Sequence, residues 1–432
     1  MLKIPIRNVM AELVYDNAGR LLFTEEMKHE YTVLMPMMLP LHFKMLESIF
    51  NRNGIHAELL ETTGRRIVDE GLRNVHNDTC YPALLVIGQM IDALKSGNYD
   101  LHKTALMITQ TGGGCRASNY IHLLRKALIN NGLEYVPVIS LNFSNMEKNP
   151  GFVITAPMFK DMIVGICYGD FLVWIGNQVR PYENNKGDTD KLIDKWKTYL
   201  CDTHFKIAEY SKNLKKILKE FEEIPVTIVP KVKVGIVGEV YIKFAPLGNN
   251  NLEDFLRRED CEVVITGLLD MILFMADHHI VDTQLYHMKY KRFFVSEAIK
   301  IFMRGVQDQI IKVIKKSRFT PPGRFEVTKS NSKGYVSPGN KMGEGWLLTA
   351  EMLELLHSGV NNIVCAQPFG CLPNHIVGKG MIRKIRNAHP EANIVAVDYD
   401  PGATIVNQEN RLKLMLSNAK KKLEVRSEML EQ

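Results

Sequence analysis

The chain has 432 residues, of which 46% are apolar and 24% are charged, and its formal net charge is +6. This composition is typical of a folded protein large enough for two or three domains. The small charge, with Lys and Arg spread along the chain, argues against nucleic-acid binding but is compatible with an anionic cofactor.

The sequence predicts neither membrane insertion nor secretion. No run reaches the roughly 18 uncharged apolar residues that a membrane-spanning helix needs. The N-terminal stretch MLKIPIRN lacks the basic, apolar and small-residue order of a signal peptide. The seven cysteines are scattered and odd in number, which indicates a reducing cytoplasm and thiols used singly or as metal ligands.

Residues 1–151 predict an N-terminal α/β domain. After a polar start with a short hairpin near Asn17, strand-like and helix-like runs alternate, which is typical of βαβ units and a parallel sheet. The predicted strands cover 31–35, 56–60, 104–110 and 135–141, and the predicted helices cover 42–51, 82–94 and 119–128.

Residues 152–230 predict a helical connector, because the pattern is amphipathic and 188–221 is rich in Lys and Glu. A second α/β domain is expected over 231–432, with a loop-like segment at 318–345. Its predicted strands are 231–238, 261–266, 362–365 and 393–397, and its predicted helices are 252–257, 282–316, 347–357, 375–388 and a last one from 404.

The stretch TGGGCRASNY, residues 111–120, follows a predicted strand and opens a predicted helix. Gly112, Gly113 and Gly114 permit backbone conformations and a close approach that other residues do not, so we expect them to bind a cofactor. Cys115 comes next, at a helix N-terminus where the helix dipole and unpaired N–H groups favour an anion. A thiolate in that position is suited to binding a metal.

Two further cysteines have a similar local setting. Cys80 directly precedes a Tyr-Pro pair at the start of a predicted helix, and Cys371 lies in QPFGCLPNH, between a predicted strand and a predicted helix. Open α/β sheets gather such loops at the carboxyl ends of their strands. We therefore expect the loops of Cys80, Cys115 and Cys371 to meet between the two domains.

Three thiolates without an obvious fourth ligand suit a [4Fe–4S] cluster that leaves one iron open. The competing metal interpretation is zinc with His375 or His76 as fourth ligand, although structural zinc ligands usually come as closely spaced pairs. A third interpretation is that the cysteines are inert.

The sequences NDTCYP around Cys80, TGGGCR around Cys115 and QPFGCLPNH around Cys371 resemble the 2-hydroxyacyl-CoA dehydratase superfamily. The nearest branch is the dehydratase-like one related to the acyl-CoA dehydratase activase-related proteins, and the resemblance covers residues 32–419. It implies an oxygen-sensitive [4Fe–4S] protein with Rossmann- or flavodoxin-like parallel-sheet domains. It also implies that the three cysteines hold the cluster between those domains.

In that superfamily a separate ATP-dependent iron–sulfur activator delivers one low-potential electron, and the dehydratase removes water from a 2-hydroxyacyl-CoA by a radical mechanism. The resemblance therefore implies a cytoplasmic lyase of anaerobic metabolism that acts on an acyl-CoA or another small molecule. A second dehydratase-like subunit or a homodimer is implied as well. The alternatives are a non-catalytic [4Fe–4S] electron-transfer or accessory subunit and a double-cubane reductase, which would recruit most of the other four cysteines.

Three charged residues are candidates for catalysis. Arg116 lies beside Cys115, where it suits donation to cluster sulfides or to an anionic substrate, or else a plain helix-surface charge. Glu239, with Tyr241 near it, follows a strand at the mouth of the second sheet. Glu344 lies in GEGW before a helix and belongs either to a binding loop or to a capped helix start.

Overall fold

The computed structural model describes residues 11–76, 78–111, 113–142, 146–287 and 290–431. The chain divides into two compact units. Unit 1 consists of Met1–Met37, Phe50–Thr79 and Ala83–Thr155, whereas unit 2 consists of Met38–Ile49, Cys80–Pro82 and Ala156–Gln432. Two short N-terminal segments, one of which contains Cys80, therefore belong to the unit formed mainly by the second half of the chain.

Unit 1 is built on a four-stranded parallel sheet with the order β2-β1-β3-β4. Its strands are β1 (Thr32–Pro36), β2 (Ala57–Leu60), β3 (Thr104–Thr109) and β4 (Val138–Leu141). The helices along this part of the chain are α1 (Glu25–Glu30), α2 (Pro40–Arg52), α3 (Arg65–Asn74), α4 (Tyr81–Lys95) and α5 (Tyr120–Asn130). Most of α2 belongs to unit 2.

The strands of this sheet are almost continuously apolar because both faces of the sheet are buried. Val33, Leu34, Leu106 and Ile139 have no exposed surface. Parallel sheets covered by helices on both sides have this pattern, in contrast to the alternation of a half-exposed sheet. The helix α4 is likewise buried along most of its length, since its residues are apolar on nearly all sides.

Unit 2 has a second four-stranded parallel sheet, with the order β6-β5-β7-β8. Its strands are β5 (Lys233–Gly238), β6 (Glu262–Ile265), β7 (Asn362–Pro368) and β8 (Asn393–Tyr399). The helices are α6 (Ala156–Val179), α7 (Asp188–Asp202), α8 (Tyr210–Glu222), α9 (Val240–Phe244), α10 (Pro246–Asn249), α11 (Leu252–Arg258), α12 (Leu268–Tyr286), α13 (Tyr290–Ile314), α14 (Phe325–Asn331), α15 (Trp346–His357), α16 (Ile382–Ala388) and α17 (Ile405–Glu431).

The helices expected between 152 and 223 are present as α6, α7 and α8, and they belong to unit 2. The helix α6 is buried on most sides, whereas α8 has a strongly amphipathic pattern. The single helix expected over 282–316 is divided between the end of α12 and the whole of α13, and the expected loop 318–345 contains the helix α14. Phe325 of this helix is fully buried and packs against Trp346, so a tertiary contact stabilises a helix that its Pro- and Gly-rich surroundings did not predict.

The prediction of an α/β protein with parallel sheets is confirmed, and the two sheets share one topology. In each sheet the first strand along the chain lies between the second and the third, and the fourth pairs with the third. The strand order reverses direction between the first and third strands, which is where open α/β sheets bind ligands, at the carboxyl ends. Within the described part of the chain, every helix is too short or too polar to cross a membrane.

Candidate functional site

Cys115 lies in the loop at the carboxyl end of β3, the third strand of the first sheet. A 3-10 turn over Arg116–Asn119 separates it from α5, so Cys115 precedes this turn and not the α-helix itself. Gly113 has a φ of 71°, in the left-handed region that favours glycine. Gly112, also predicted to bind a cofactor, lies outside the described residues.

The backbone around Cys115 is held by polar side chains of the same loop and of the strands beside it. The Ser118 hydroxyl lies 2.5 Å from the carbonyl oxygen of Cys115 and 3.2 Å from that of Gly113. Gln110 donates to the Ser118 carbonyl at 3.1 Å and accepts from the Ser140 hydroxyl at 2.8 Å. These bonds tie the glycine-rich loop to the carboxyl end of β4.

Arg116 has a contact that the sequence did not suggest. Its guanidinium donates to the carbonyl oxygen of Asp78, two residues before Cys80, and both residues belong to unit 1. Arg116 is otherwise exposed to solvent. The side chain therefore joins the loop of Cys115 to the segment that leads to Cys80.

Cys80 is buried and directly precedes α4, as predicted. It begins the short segment Cys80–Pro82 that is part of unit 2. The reason is visible in the backbone, since the N–H of Tyr81 donates to the carbonyl oxygen of Phe369 at 3.0 Å. Phe369 lies two residues before Cys371, so within unit 2 the segment of Cys80 is joined to the loop of Cys371.

Cys371 is also buried and lies just past the carboxyl end of β7. Its N–H donates to the carbonyl oxygen of Pro368 at 3.3 Å, and its own carbonyl accepts from Nδ1 of His375 at 2.7 Å. That bond requires the hydrogen on Nδ1, because a carbonyl oxygen only accepts. In the zinc interpretation, only Nε2 of His375 is left to bind a metal.

The turn after Cys371 is anchored in the core by two amides without exposed surface, Gln367 and Asn374. The Gln367 amide donates to Oδ1 of Asn374 at 3.0 Å, and the Asn374 amide reaches the carbonyl oxygen of Ala366 at 3.4 Å. Buried amides keep such bonds because an unpaired one is costly. The network fixes the path of the chain on both sides of Cys371.

The shared topology places the cysteines at corresponding positions. Cys115 follows β3 and Cys371 follows β7, which are the third strands of their sheets and flank the two switch points. Cys80 precedes α4, the helix that leads into β3, and Glu344 precedes α15, the helix that leads into β7. The same two places in the topology thus carry residues that the sequence marked as functional.

The donor chemistry of this set fits an iron–sulfur cluster, since it offers three thiols, two on loops that follow strands and one directly before α4. Among the residues that the structure describes, no three Cys, His, Asp or Glu side chains form a ready metal-binding group. The contacts around Cys80, Cys115 and Cys371 accordingly hold the backbones of these loops, and no closed set of ligands is formed.

Three of the other cysteines are buried thiols of ordinary character. Burial raises the pKa of Cys365 to about 12 and that of Cys261 to about 11, and it raises the pKa of Cys167 well above its usual value. The Cys365 thiol donates to Oδ1 of Asn374 at 3.8 Å. Burial is the largest cause of the raised pKa in all three thiols.

Glu239 and Glu344 are brought together at the carboxyl end of β5, although 105 positions separate them in the chain. Glu239 caps α9 by accepting from the N–H of Ile242 at 2.9 Å, and Glu344 accepts from the N–H of Val240 at 3.0 Å. Both side chains are buried. The backbone N–H groups of Val240 and Ile242, in the first turn of α9, therefore each donate to one of the two carboxyl groups.

Burial raises the pKa of Glu239 well above its usual range, and the neighbouring Glu344 carboxylate raises it further. Burial also raises the pKa of Glu344, against the effect of the hydrogen bond from Val240. Two buried carboxyl groups side by side resist double ionisation, so the pair retains a proton near neutral pH.

A buried ion pair lies behind these carboxyl groups. Lys243 of α9 donates to Oε1 of Glu351 at 2.9 Å and also to the hydroxyl of Thr266, and all three side chains are buried. The charge of Lys243 is thus matched by Glu351, not by the Glu239–Glu344 pair. This ion pair links α9, β6 and α15 in unit 2.

Sequence reasoning placed Glu239 and Tyr241 at the mouth of the second sheet and Glu344 in a loop before a helix, but it did not find the pairing of the two carboxyl groups. It also missed Ser118 and the Lys243–Glu351 ion pair. A lysine within the mainly apolar run VYIKF was a signal for a buried charge that needs a partner. No protein-family model matches this chain, and no curated protein matches it.

Proposed function

We propose that the protein is an iron–sulfur enzyme of the 2-hydroxyacyl-CoA dehydratase type, with Cys80, Cys115 and Cys371 as ligands of a [4Fe–4S] cluster. When bound, such a cluster supplies one-electron redox chemistry at low potential and an open iron position. The protein's own residues provide the ligands, the orientation of their loops and the exclusion of water.

One observation carries the proposal, namely the two contacts that flank Cys80. Asp78, two residues before it, accepts from Arg116 of the Cys115 loop. Tyr81, the residue after it, donates to Phe369 of the Cys371 loop. Within unit 1 the chain just before Cys80 is therefore bonded to the loop of Cys115, and within unit 2 the chain just after it is bonded to the loop of Cys371. Inert cysteines on unrelated loops give no reason for this arrangement.

The residues around the cysteines have supporting roles. Gly113 and Gly114 let the backbone approach a bulky inorganic group closely, and the Ser118 hydroxyl holds the carbonyl groups of that loop in place. Arg116 is a positioning residue for the segment of Cys80. Hydrogen bonds of this kind orient ligands and adjust the properties of a metal site.

The burial of Cys167, Cys261 and Cys365 in the protein core favours a single cluster over a double-cubane centre. A double-cubane centre needs about six thiolate ligands on the pattern of cysteine-held clusters. These three thiols are buried and their pKa values are raised. With three of the seven cysteines of this kind, four are left for ligation.

The proposal includes a cytoplasmic location and an ATP-dependent iron–sulfur activator as electron donor. It also includes a 2-hydroxyacyl-CoA substrate that loses water, and a second dehydratase-like subunit or a second copy of this chain as partner. These parts follow from the resemblance of the three cysteine motifs to the dehydratase superfamily.

The first test is anaerobic purification followed by iron and sulfide analysis and electron paramagnetic resonance of the reduced protein. We expect about four irons and four sulfides per chain. Cys80→Ser, Cys115→Ser and Cys371→Ser should each lose most of that iron. Cys261→Ser is the matched control, because its buried thiol donates to the Glu259 carbonyl and a hydroxyl can replace it.

Wild-type protein without iron after anaerobic reconstitution would overturn the proposal, and about eight irons would replace it with the double-cubane alternative. Equal iron loss in Cys261→Ser would show that folding, not ligation, explains the losses. With the cluster established, conversion of a 2-hydroxyacyl-CoA by activator, ATP and reductant separates a dehydratase from an accessory electron-transfer subunit.

A further inference from the structure

The carboxyl end of β5 in unit 2 carries a group of polar side chains that are not part of the proposed cluster site. Gly238 ends the strand, and a Cβ atom there would lie 2.2 Å from the carbonyl oxygen of Ala366 on β7. Only glycine therefore fits between the two strands at the switch point. The chain then turns directly into Glu239 and α9.

The two carboxyl groups at this place accept backbone hydrogen bonds but have no cation paired with them among the described residues. Glu239 and Glu344 each accept a backbone N–H from the first turn of α9. Among the described residues neither forms an ion pair with a Lys, Arg or His side chain, since the nearby Lys243 is paired with Glu351. A carboxyl pair without a cation keeps a proton and can donate it.

A second observation is independent of the carboxyl groups. The Tyr241 hydroxyl is buried, since the residue is only 6% exposed, and it has no hydrogen-bond partner among the residues that the structure describes. Its ring packs on Gly248, where a Cβ atom would lie 3.2 Å from two ring carbons. Burial raises the pKa of this phenol, and the charges of Glu239 and Tyr81 raise it further.

We propose that Glu239, Glu344 and Tyr241 form a proton-donating binding site for the carbonyl or hydroxyl oxygen of a small organic molecule. A buried phenol O–H without an acceptor and a carboxyl pair that retains a proton are both donors. These two donors suit an uncharged acceptor oxygen of a ligand. A phosphate or carboxylate group would be repelled by the negative charge of the carboxyl pair.

The groups that face this site set its response to pH. Glu239 is faced by Glu344, while Glu344 is faced by Glu351 and Lys243 of the buried ion pair. Tyr241 is faced by Glu239 and Tyr81. The carboxyl groups outnumber the single lysine, so the surroundings favour the protonated pair.

The site is inferred from the structure alone. That the bound oxygen belongs to a 2-hydroxyacyl compound rests on the proposed function. In dehydration, the activator of the proposed function first supplies one electron to the thioester carbonyl; the bond between C2 and oxygen then breaks with both electrons going to oxygen, which takes the proton of the pair and leaves as water. Loss of one proton from C3 returns a proton to the pair, and return of the one electron leaves the C2–C3 double bond. The pair thus ends as it began.

The experiment measures binding of lactoyl-CoA by calorimetry on the full chain, with propionyl-CoA as the analogue without the hydroxyl. Infrared difference spectra follow the protonated carboxyl band as pH rises. Tyr241→Phe keeps the ring on Gly248, and Glu239→Gln keeps an oxygen for the N–H of Ile242. Tyr286→Phe, at a residue 59% exposed, is the matched control.

We expect the protonated carboxyl band of the wild type at neutral pH to weaken in Glu239→Gln and in Glu344→Gln, while the part contributed by the buried Asp270 and Glu354 carboxyl groups remains. Tyr241→Phe should weaken the binding of lactoyl-CoA about tenfold, the effect of one lost buried hydrogen bond, while Tyr286→Phe binds normally. Circular dichroism checks that each variant is folded. Equal binding by wild type and Tyr241→Phe, or a protonated carboxyl band that is unchanged in both Glu239→Gln and Glu344→Gln, would overturn the inference.

Two outcomes separate this inference from the proposed function. Protein without iron that loses lactoyl-CoA binding in Tyr241→Phe would refute the cluster and support the site. Protein with four irons and unchanged binding in both Tyr241→Phe and Glu239→Gln would do the reverse. Binding of Mg²⁺ that depends on Glu239 would overturn the inference in favour of a cation site.

Discussion

Replacement of Gly88 by alanine tests the packing that positions the helix behind Cys80. Gly88 lies in α4, and a Cβ atom there would be 2.1 Å from the carbonyl oxygen of Ile67 in α3. Gly71 of α3 makes the reciprocal approach, with a Cβ position 2.2 Å from the carbonyl oxygen of Leu84. The two helix backbones therefore touch through a pair of glycines.

The expected magnitude follows from that distance. Real Cβ atoms essentially never approach closer than 3.0 Å, so α3 and α4 must separate by about 1 Å in Gly88→Ala. Overpacking costs about 1–3 kcal/mol, and because the clash at Gly88 is with backbone atoms we take the upper part of that range, about 2–3 kcal/mol. Alanine recovers about 1 kcal/mol of helix propensity. We expect a net loss of about 1–2 kcal/mol, which corresponds to roughly 5–30-fold faster amide exchange in both helices.

Hydrogen–deuterium exchange read by mass spectrometry resolves the effect, because peptides from α3 and α4 report on unit 1 directly. The tryptophans provide an internal reference, since Trp174, Trp196 and Trp346 all belong to unit 2. Their fluorescence in water should not change. Exchange in Gly88→Ala that equals or falls below the wild-type rate would refute the close crossing of the two helices.

Three further predictions concern unit 2 and are measured by urea unfolding. Burial raises the pKa of Glu354 from 4.5 to about 7, so the folded protein holds this proton more tightly than the unfolded chain and loses stability as pH rises through that range. Glu354→Gln should therefore be more stable than the wild type above pH 7, by at most about 3 kcal/mol. A difference in stability that persists at pH 4 would contradict this. Lys243→Met should lower the free energy of unfolding by about 3–5 kcal/mol, because it leaves Glu351 buried without its cation. Adding Glu351→Leu should restore most of that stability. If Lys243→Met alone were as stable as the wild type, the ion pair would not be buried. Gly305→Ala should stabilise α13 by about 0.5–1 kcal/mol, because no atom lies within 4 Å of the added Cβ, and a loss of stability would reveal a contact absent from this structure.

The local pattern of residues predicted the α/β class and the order of the elements. The run at 104–110 became β3, the run at 231–238 became β5, and the long apolar run near 82–94 became α4. These predictions succeed because a buried parallel strand needs a continuous apolar run and a helix needs a longer one. The positions of Cys115 and Cys371 after strands followed in the same way.

The pairing of distant residues was decided by the tertiary structure alone. The bond from Tyr81 to Phe369 assigns the segment of Cys80 to unit 2, and Glu239 meets Glu344 only because β5 and α15 reach the same edge of one sheet. Periodicity records which residues are buried but not which partners they meet. Burial in turn raises the pKa of Glu239, so the acid–base character of the candidate site comes from packing and not from the local sequence.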